Sequence, residues 1–387
     1  MASVIVVLGT RPEAIKMFPV VVELRQWARV SVLSTGQHDS LLEPTLKYLK
    51  LEPDFRLKVM SPGQDLSSIL EKVIKGVKKV VEQCKPNLML VQGDTTSAMG
   101  AALVAAYARV PLVHVEAGLR TESIAAPFPE EINRRIISKV AAHHFAPTSW
   151  AKDNLLREGV APKTVTVCGN TVIDTLAQNI DRIRKIDFSH NLRVDVPWLT
   201  SHDEKVIPLL VTVHRRENLG RGLLDICDGL KRVLANNNAV RILCPVHKNP
   251  IVEETLVREL SGVKRVHLLK PLNYVDFVKL MDRSKLILTD SGGVQEEAPF
   301  LGKPILVLRD ETERPEGILA GTAKIVGTDS RKIAEAVETL LTNEVEYQKM
   351  AKSHNPYGSG DAAKTIAKKL FDLGFLAKPI CHRSPED

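Results

Sequence analysis

Residues 285–299 read KLILTDSGGVQEEAP. The run LILT is apolar without alternation, as expected of a strand covered on both faces. A polar turn follows at Asp290 and Ser291, and a helix opens near Gly293. This is one βα unit, and βα units in series predict a parallel, doubly wound sheet. Gly292 and Gly293 leave room for an anion to approach backbone N–H groups at a helix start. The neighbouring acids Glu296 and Glu297 have two readings. Acids early in a helix offset its dipole, or one of them grips a ribose. With the helix starting near Gly293, Glu297 lies about one turn in and Glu296 points about 100° away around it. The ribose role therefore falls to Glu297 and the dipole or salt-bridge role to Glu296.

The same unit recurs along the chain. SVIVVLG (3–9), VSVLSTG (30–36), LMLVQG (88–93), PLVHVEAG (111–118), HHFAPT (143–148) and TVTVCGN (164–170) read as strands with helices between them, beginning with RPEAIKMFPVVVEL at 11–24. The stretch RKIDFSHNLRVDVPWLTSHDEK is polar and without clear period, and residues 178–205 are predicted to join two domains. The pattern restarts with VIPLLVTVH (206–214), VRILCPVH (240–247), RVHLLKPL (265–272), KLILTDSG (285–292), KPILVLRD (303–310) and TAKIVGT (322–328). The expectation is an α/β chain of two Rossmann-like doubly wound domains facing a cleft. The first covers 1–177 and is completed by a C-terminal helix within 361–387; the second covers 206–360.

Composition narrows the class. A 387-residue chain with 44% hydrophobic residues suits a globular protein of more than one core. Its longest apolar runs are too short to span a bilayer, and MASVIVV lacks a charged leader region, so no membrane insertion or signal peptide is expected. The cysteines at 84, 168, 227, 244 and 381 are odd in number and never in CxxC spacing. Reduced thiols, a cytoplasmic location and no metal cluster follow as expectations. A net charge of +7 suits an anionic ligand. Aromatics are only 4% and no basic run is interleaved with them, which argues against nucleic acid.

Ligands of open parallel sheets sit beyond the carboxyl ends of the strands, and the loops there are polar. GTRPEAIK (9–16) places Arg11 and Lys16 near a helix start, where they oppose the dipole unless an anion compensates. DTTS (94–97) offers Asp94, which could equally be part of an ordinary cap. Glu116 closes a buried strand, and PFPEEINRR (127–135) brings Glu131 with Arg134 and Arg135. Adjacent strands would carry Asp94 and Glu116 to one sheet edge, an arrangement that suits acid–base work. VTVHRRENLGRG (211–222) places His214 beside Arg215 and Arg216 at a strand end, a pattern that fits phosphate binding at least as well as a structural histidine, and PVHKNP (245–250) repeats the theme more weakly at His247. There is no GxxxxGK[ST], no GxGxxG after a strand, no HExxH and no GxSxG. P-loop and nicotinamide-dependent chemistry are therefore disfavoured.

Taken in order, GTRPEAIKMFP, QGDTTSA, VHVEAGLRT, PEEINRR, GNTVID, HRRENLGRG, PVHKNP, TDSGGVQEEAP, ETERPE (311–316) and HNPYG (354–358) resemble the non-hydrolysing UDP-N-acetylglucosamine 2-epimerases. The resemblance runs from Gly9 to Gly360. It implies the glycosyltransferase-B architecture and interconversion of UDP-GlcNAc and UDP-ManNAc through UDP and a 2-acetamidoglucal, with no metal or redox cofactor. It further implies a homodimer. By resemblance Asp94, Glu116, Glu131 and His214 are catalytic, and Arg11 and Lys16 are basic residues of the active site. Ser291, Gly292 and Gly293 would meet UDP phosphate, Glu297 the ribose, and Phe277 the uracil. Arg215, His247 and Arg314 complete the substrate-binding set.

One departure concerns regulation. Many relatives bind a second UDP-GlcNAc through glutamines that are Ser40 and Pro44 here, and through an Arg-Gln pair that reads Gly63–Gln64. Activation by substrate is not expected of this chain. A hydrolysing 2-epimerase, a glycosyltransferase of the same architecture and a non-enzymatic nucleotide-sugar sensor remain as rival readings.

Overall fold

The structure, a computed structural model, describes residues 2–377 apart from 38, 62, 122, 126 and 201–204, with only the backbone of 39–41. Cys381, the Ser40 side chain and residues 378–387 of the expected C-terminal segment lie outside the described residues. The chain divides into two compact units, residues 1–178 with 357–387, and residues 179–356. Among the described residues no helix is long and apolar enough to cross a membrane.

The first unit holds seven strands: β1 (Ser3–Leu8), β2 (Arg29–Ser34), β3 (Phe55–Arg56), β4 (Leu88–Gln92), β5 (Leu112–Val115), β6 (His143–Ala146) and β7 (Val165–Val167). They form one parallel sheet in the order β3-β2-β1-β4-β5-β6-β7. The unbroken apolar reading of β1 has a direct cause. Val4, Val6 and Leu8 join the core on one face of the sheet, and Ile5 and Val7 join the core on the other. The first core is completed from far along the chain. Ile366, Ala367 and Leu370 of the helix Ala362–Asp372 are fully buried in it, and Trp27 packs on Phe371 with ring centroids 5.4 Å apart.

The second unit holds β8 (Ile207–Thr212), β9 (Val240–Pro245), β10 (Val266–Leu269), β11 (Leu286–Thr289), β12 (Ile305–Val307) and β13 (Ala323–Ile325). They form a parallel sheet ordered β10-β9-β8-β11-β12-β13. Leu209 and Val211 of β8 and Leu286 and Leu288 of β11 share one core with the helix Arg221–Asn236. The α/β class expected from the sequence is the class observed, twice over.

The described residues 178–200 of the predicted 178–205 stretch are more ordered than their polarity suggests. The helix Thr171–Lys185 runs through the division at 178, and a short helix spans His190–Asp195. Ile180, Ile183, Phe188, Leu192, Val196 and Leu199 are buried. Within the second unit Asp276 accepts from Ser189 N at 3.0 Å, Arg184 forks onto Asp282 at 2.9 Å twice, and Trp198 Nε1 donates to His267. The apolar positions are too far apart in sequence to show a period, because each anchors a separate turn.

Each sheet has one point where strand order reverses, between β1 and β4 and between β8 and β11. Crevices at such points, beyond the strands' carboxyl ends, are where open parallel sheets bind ligands.

Candidate active site

In the first unit the reversal point gathers the loops after β1, β4 and β5. Thr10 caps the helix Arg11–Leu24, and Glu13 completes a capping box, with Pro12 in the first turn. Glu13 is nearly inaccessible. Its carboxylate accepts from Gly9 N at 3.0 Å, Thr10 Oγ1 at 2.7 Å and Thr95 Oγ1 at 2.8 Å. Burial raises its pKa, and these donors pull it back. Glu13 thus ties the loop after β1 to the loop after β4. Arg11 is half-buried at the first position of that helix.

Lys16 points its ammonium at Glu116, and both are almost wholly buried. Glu116 Oε1 also accepts from Asn170 Nδ2 at 3.0 Å, and Oε2 accepts from Gln92 Nε2. The Oε2 atom lies against Gly93, 3.6 Å from where a Cβ would stand. Glu116 itself has φ of +60°, a left-handed conformation that costs a non-glycine residue free energy. Three side-chain donors hold the carboxylate in one place despite that cost. Two of them, Gln92 and Asn170, were not among the residues singled out from the sequence. Asn170 stands in GNTVID, immediately past a strand, where a search of strand ends would find it.

Asp94 is the most open of these carboxylates, with 28% of its side chain exposed. Its carbonyl accepts from Asn133 Nδ2 at 2.8 Å, and Arg134 Nε stands 3.6 Å from its carboxylate. His114 Nε2 donates to the preceding carbonyl, Gly93 O, at 2.7 Å. Burial drops the His114 pKa to about 3, so this donor is a neutral imidazole. Glu131 is fully buried. It pairs with Arg134 at 3.2 Å and Arg135 at 2.7 Å and accepts from Thr121 N and Oγ1. Arg134 therefore lies between Glu131 and Asp94.

GNTVID meets Tyr357 and Gly358, the end of HNPYG, in this unit. Asn170 N donates to Tyr357 O at 2.7 Å, and a Cβ on Gly169 would press on Tyr357 and Gly358. Asp174 Oδ1 accepts from Ala363 N at 2.8 Å at the head of the C-terminal helix.

In the second unit Asp290 follows β11 and is fully inaccessible. It accepts from His214 N at 2.9 Å, Arg215 N at 2.9 Å and Asn218 Nδ2 at 3.1 Å, and His214 Nδ1 stands 3.2 Å from its Oδ1. The His214 ring stacks on His247, centroids 5.2 Å apart and planes 24° apart. Burial lowers the His214 pKa, Asp290 opposes that, and Arg215 and His247 add to it. Ser291 precedes the helix Gly292–Glu297. A Cβ on Gly292 would lie 3.4 Å from an Arg314 terminal nitrogen and 3.7 Å from one of Arg215, whereas one on Gly293 would meet nothing within 4 Å. Two guanidinium groups thus converge over Gly292. Arg314 is fixed by Glu296 at 2.6 Å, the salt-bridge role expected of that acid, and Glu313 stands 3.3 Å from Arg215. Glu297 is half-buried one turn into the helix. Phe277 is half-buried on the helix Tyr274–Arg283, a different element from the Asp290 cluster. Of the regulatory positions, Pro44 is exposed inside the helix Asp39–Leu49, and Gly63 has φ of +71°.

Comparison with known proteins identifies the family and the fold. A family model described as UDP-N-acetylglucosamine 2-epimerase matches residues 22–371. The UDP-N-acetylglucosamine 2-epimerase of Escherichia coli K12 is 46% identical over 371 residues, covering 95% of this chain and 98% of that protein. The crystal structure of the Neisseria meningitidis UDP-GlcNAc 2-epimerase bound to UDP-GlcNAc superposes with a TM-score of 0.89 at 41% identity, covering 96% of this chain and all of the other. The Methanocaldococcus jannaschii enzyme in complex with UDP-GlcNAc and UDP gives 0.80 at 33% identity, covering 96% of this chain and 99% of that one. With a family model matching residues 22–371 and a relative 46% identical over 95% of the chain, the protein belongs to the UDP-N-acetylglucosamine 2-epimerase family.

Proposed function

We propose that this protein interconverts UDP-GlcNAc and UDP-ManNAc without hydrolysis. The observation that carries the reading is the Glu116 carboxylate, fixed by Lys16, Gln92 and Asn170 against Gly93 and next to the more open Asp94. Two carboxylates with different surroundings can serve as acid and base on opposite faces of one carbon. In the second unit, considered by itself, Arg215 and Arg314 stand over Gly292, an arrangement that suits a departing diphosphate.

The chemistry requires both. C2 of the sugar has no carbonyl neighbour, so its C–H bond is a poor acid. When the C1–O bond to UDP breaks, the electron pair leaves with UDP. The C2 proton passes to a carboxylate, and a C1=C2 double bond forms, giving 2-acetamidoglucal. In the return step a proton adds to C2 from the other face and a UDP oxygen attacks C1. Asp94 and Glu116 carry the protons in this reading. Glu131 acts through Arg134, which it holds beside Asp94. His214, Arg215, Arg314, Ser291, Gly292 and Gly293 receive the diphosphate, Glu297 the ribose, and Phe277 the uracil. Arg11 and His247 complete the site, no cofactor takes part, and the protein works as a cytoplasmic homodimer.

Incubation with UDP-GlcNAc in heavy water, followed by NMR, tests this. The expected result is UDP-ManNAc with deuterium at C2 and little free sugar. Free ManNAc as the main product would replace this reading with hydrolytic epimerisation. Failure of C2 exchange would overturn both.

A further inference from the structure

Asp290 has no place in the chemistry above, yet it is the most heavily used buried carboxylate of the second unit. Its oxygens accept from two consecutive backbone N–H groups, those of His214 and Arg215, and from Asn218 Nδ2. Asn218 also donates to Leu308 O at 3.0 Å, which ties the cluster to β12. His214 Nδ1 lies 3.2 Å from Oδ1, on the opposite side of the carboxylate from Asn218 and Arg215 N, which both meet Oδ2. A carboxylate oxygen can only accept, and a bare nitrogen lone pair 3.2 Å from it would be repelled, which favours the hydrogen on Nδ1. Nε2 is then the nitrogen whose proton comes and goes. His247 stacks on the face of the ring, centroids 5.2 Å apart.

We propose that Asp290 is a positioning residue for the reaction. It holds His214 as the Nδ1–H tautomer, with Nε2 left for the nucleotide sugar, and it anchors the backbone from which Arg215 reaches the Gly292 turn. The proposal rests on the epimerase reading for what His214 does, though not for its tautomer. In both charge states of His214 the Nδ1 hydrogen stays on the Asp290 side, and only Nε2 changes.

Asp290→Asn isolates this function. An asparagine carbonyl at the Oδ2 position keeps the bonds from Arg215 N and Asn218. Its amide then faces Nδ1 as a donor and drives His214 to the Nε2–H tautomer. In wild-type protein labelled with 15N-histidine, and assigned with His214→Gln, the His214 shifts should show hydrogen on Nδ1; in Asp290→Asn they should exchange. The variant should lose about 100-fold or more in kcat while KM changes less than threefold, the pattern of a wrong tautomer in a retained geometry. In a His214→Gln background Asp290→Asn should cost no further activity, since it acts through the absent imidazole. A wild-type Nε2–H tautomer overturns the proposal without recourse to any variant. So does an equal fractional loss in the two backgrounds. Because the tautomer is read without turnover, failure of the epimerase reading is distinguishable from failure of this one.

Discussion

Asp174 offers a quantitative test of how the first unit is closed. Its side chain is 1% exposed and receives Ala363 N at the head of the C-terminal helix. Desolvation raises its pKa to about 6, with Asp361 adding to the rise and the backbone donors opposing it. In the unfolded chain the ordinary aspartate value of about 3.9 applies. A folded pKa above the unfolded one means that the folded state binds the proton more tightly. Asp174 therefore adds stability that is complete below about pH 4 and is lost as pH rises through about 6. The gap of about two between the folded and unfolded values corresponds to about 3 kcal/mol at the limit. At pH 5 the folded group is roughly nine-tenths protonated and the unfolded one scarcely so, which realises about 1.4 kcal/mol. Asp174→Asn keeps an acceptor for Ala363 N and removes the titration. Trp27 reports on the docked helix through Phe371, so urea unfolding can be followed by its fluorescence in a Trp150→Phe, Trp198→Phe background. Other carboxylates titrate in both proteins and cancel. The stability of the aspartate form relative to the asparagine form should rise by about 1.4 kcal/mol from pH 7.5 to pH 5. A gap independent of pH, or one moving the other way, would refute the reasoning.

Four further variants have expected outcomes. Gly292→Ala should weaken UDP binding at least tenfold by calorimetry, about 1.4 kcal/mol, because the methyl enters the space under Arg314 and Arg215. Gly293→Ala, whose methyl meets no protein atom within 4 Å, should gain up to about 1 kcal/mol of helix stability in urea unfolding. Asn170→Ala removes one of three side-chain donors to Glu116; steady-state kinetics should show kcat lower by about 10- to 100-fold, consistent with a hydrogen bond to a charged group, with UDP affinity unchanged. Glu296→Gln takes the buried carboxylate from Arg314. Urea unfolding of the second unit should show a loss of about 3 kcal/mol, and UDP binding should weaken with it.

The strands were legible because burial on both faces leaves an unbroken apolar run, as in Ile5 and Val7 against Val4 and Val6. β3 was not, since two residues carry no period; Phe55 and Arg56 are a strand only because Leu33 and Ser34 pair with them. The order in 178–205 was hidden for a related reason, with single buried residues such as Phe188 and Leu199 each fixing one turn. Strand-end position picked out Glu116, His214 and Ser291. What it could not give was the partner of each. Lys16 and Glu116 are 100 residues apart, and Asp290 and His214 are 76 apart, and only the sheet order brings them together. Nor could sequence separate Glu131, fully buried under two arginines, from the more open Asp94.

The helix Ala362–Asp372 fills a core whose other members begin at Val4. That has a consequence for how the protein is made. The second unit, residues 179–356, is a continuous stretch that can close while the ribosome is still at work. The first unit leaves the ribosome first yet keeps a strip of sheet surface open until Leu370 emerges. During that interval Met17, Val20 and Leu24 lack the apolar neighbours that Ile366, Ala367 and Leu370 later supply, and transiently exposed apolar surface of this kind is what makes incomplete chains prone to aggregate.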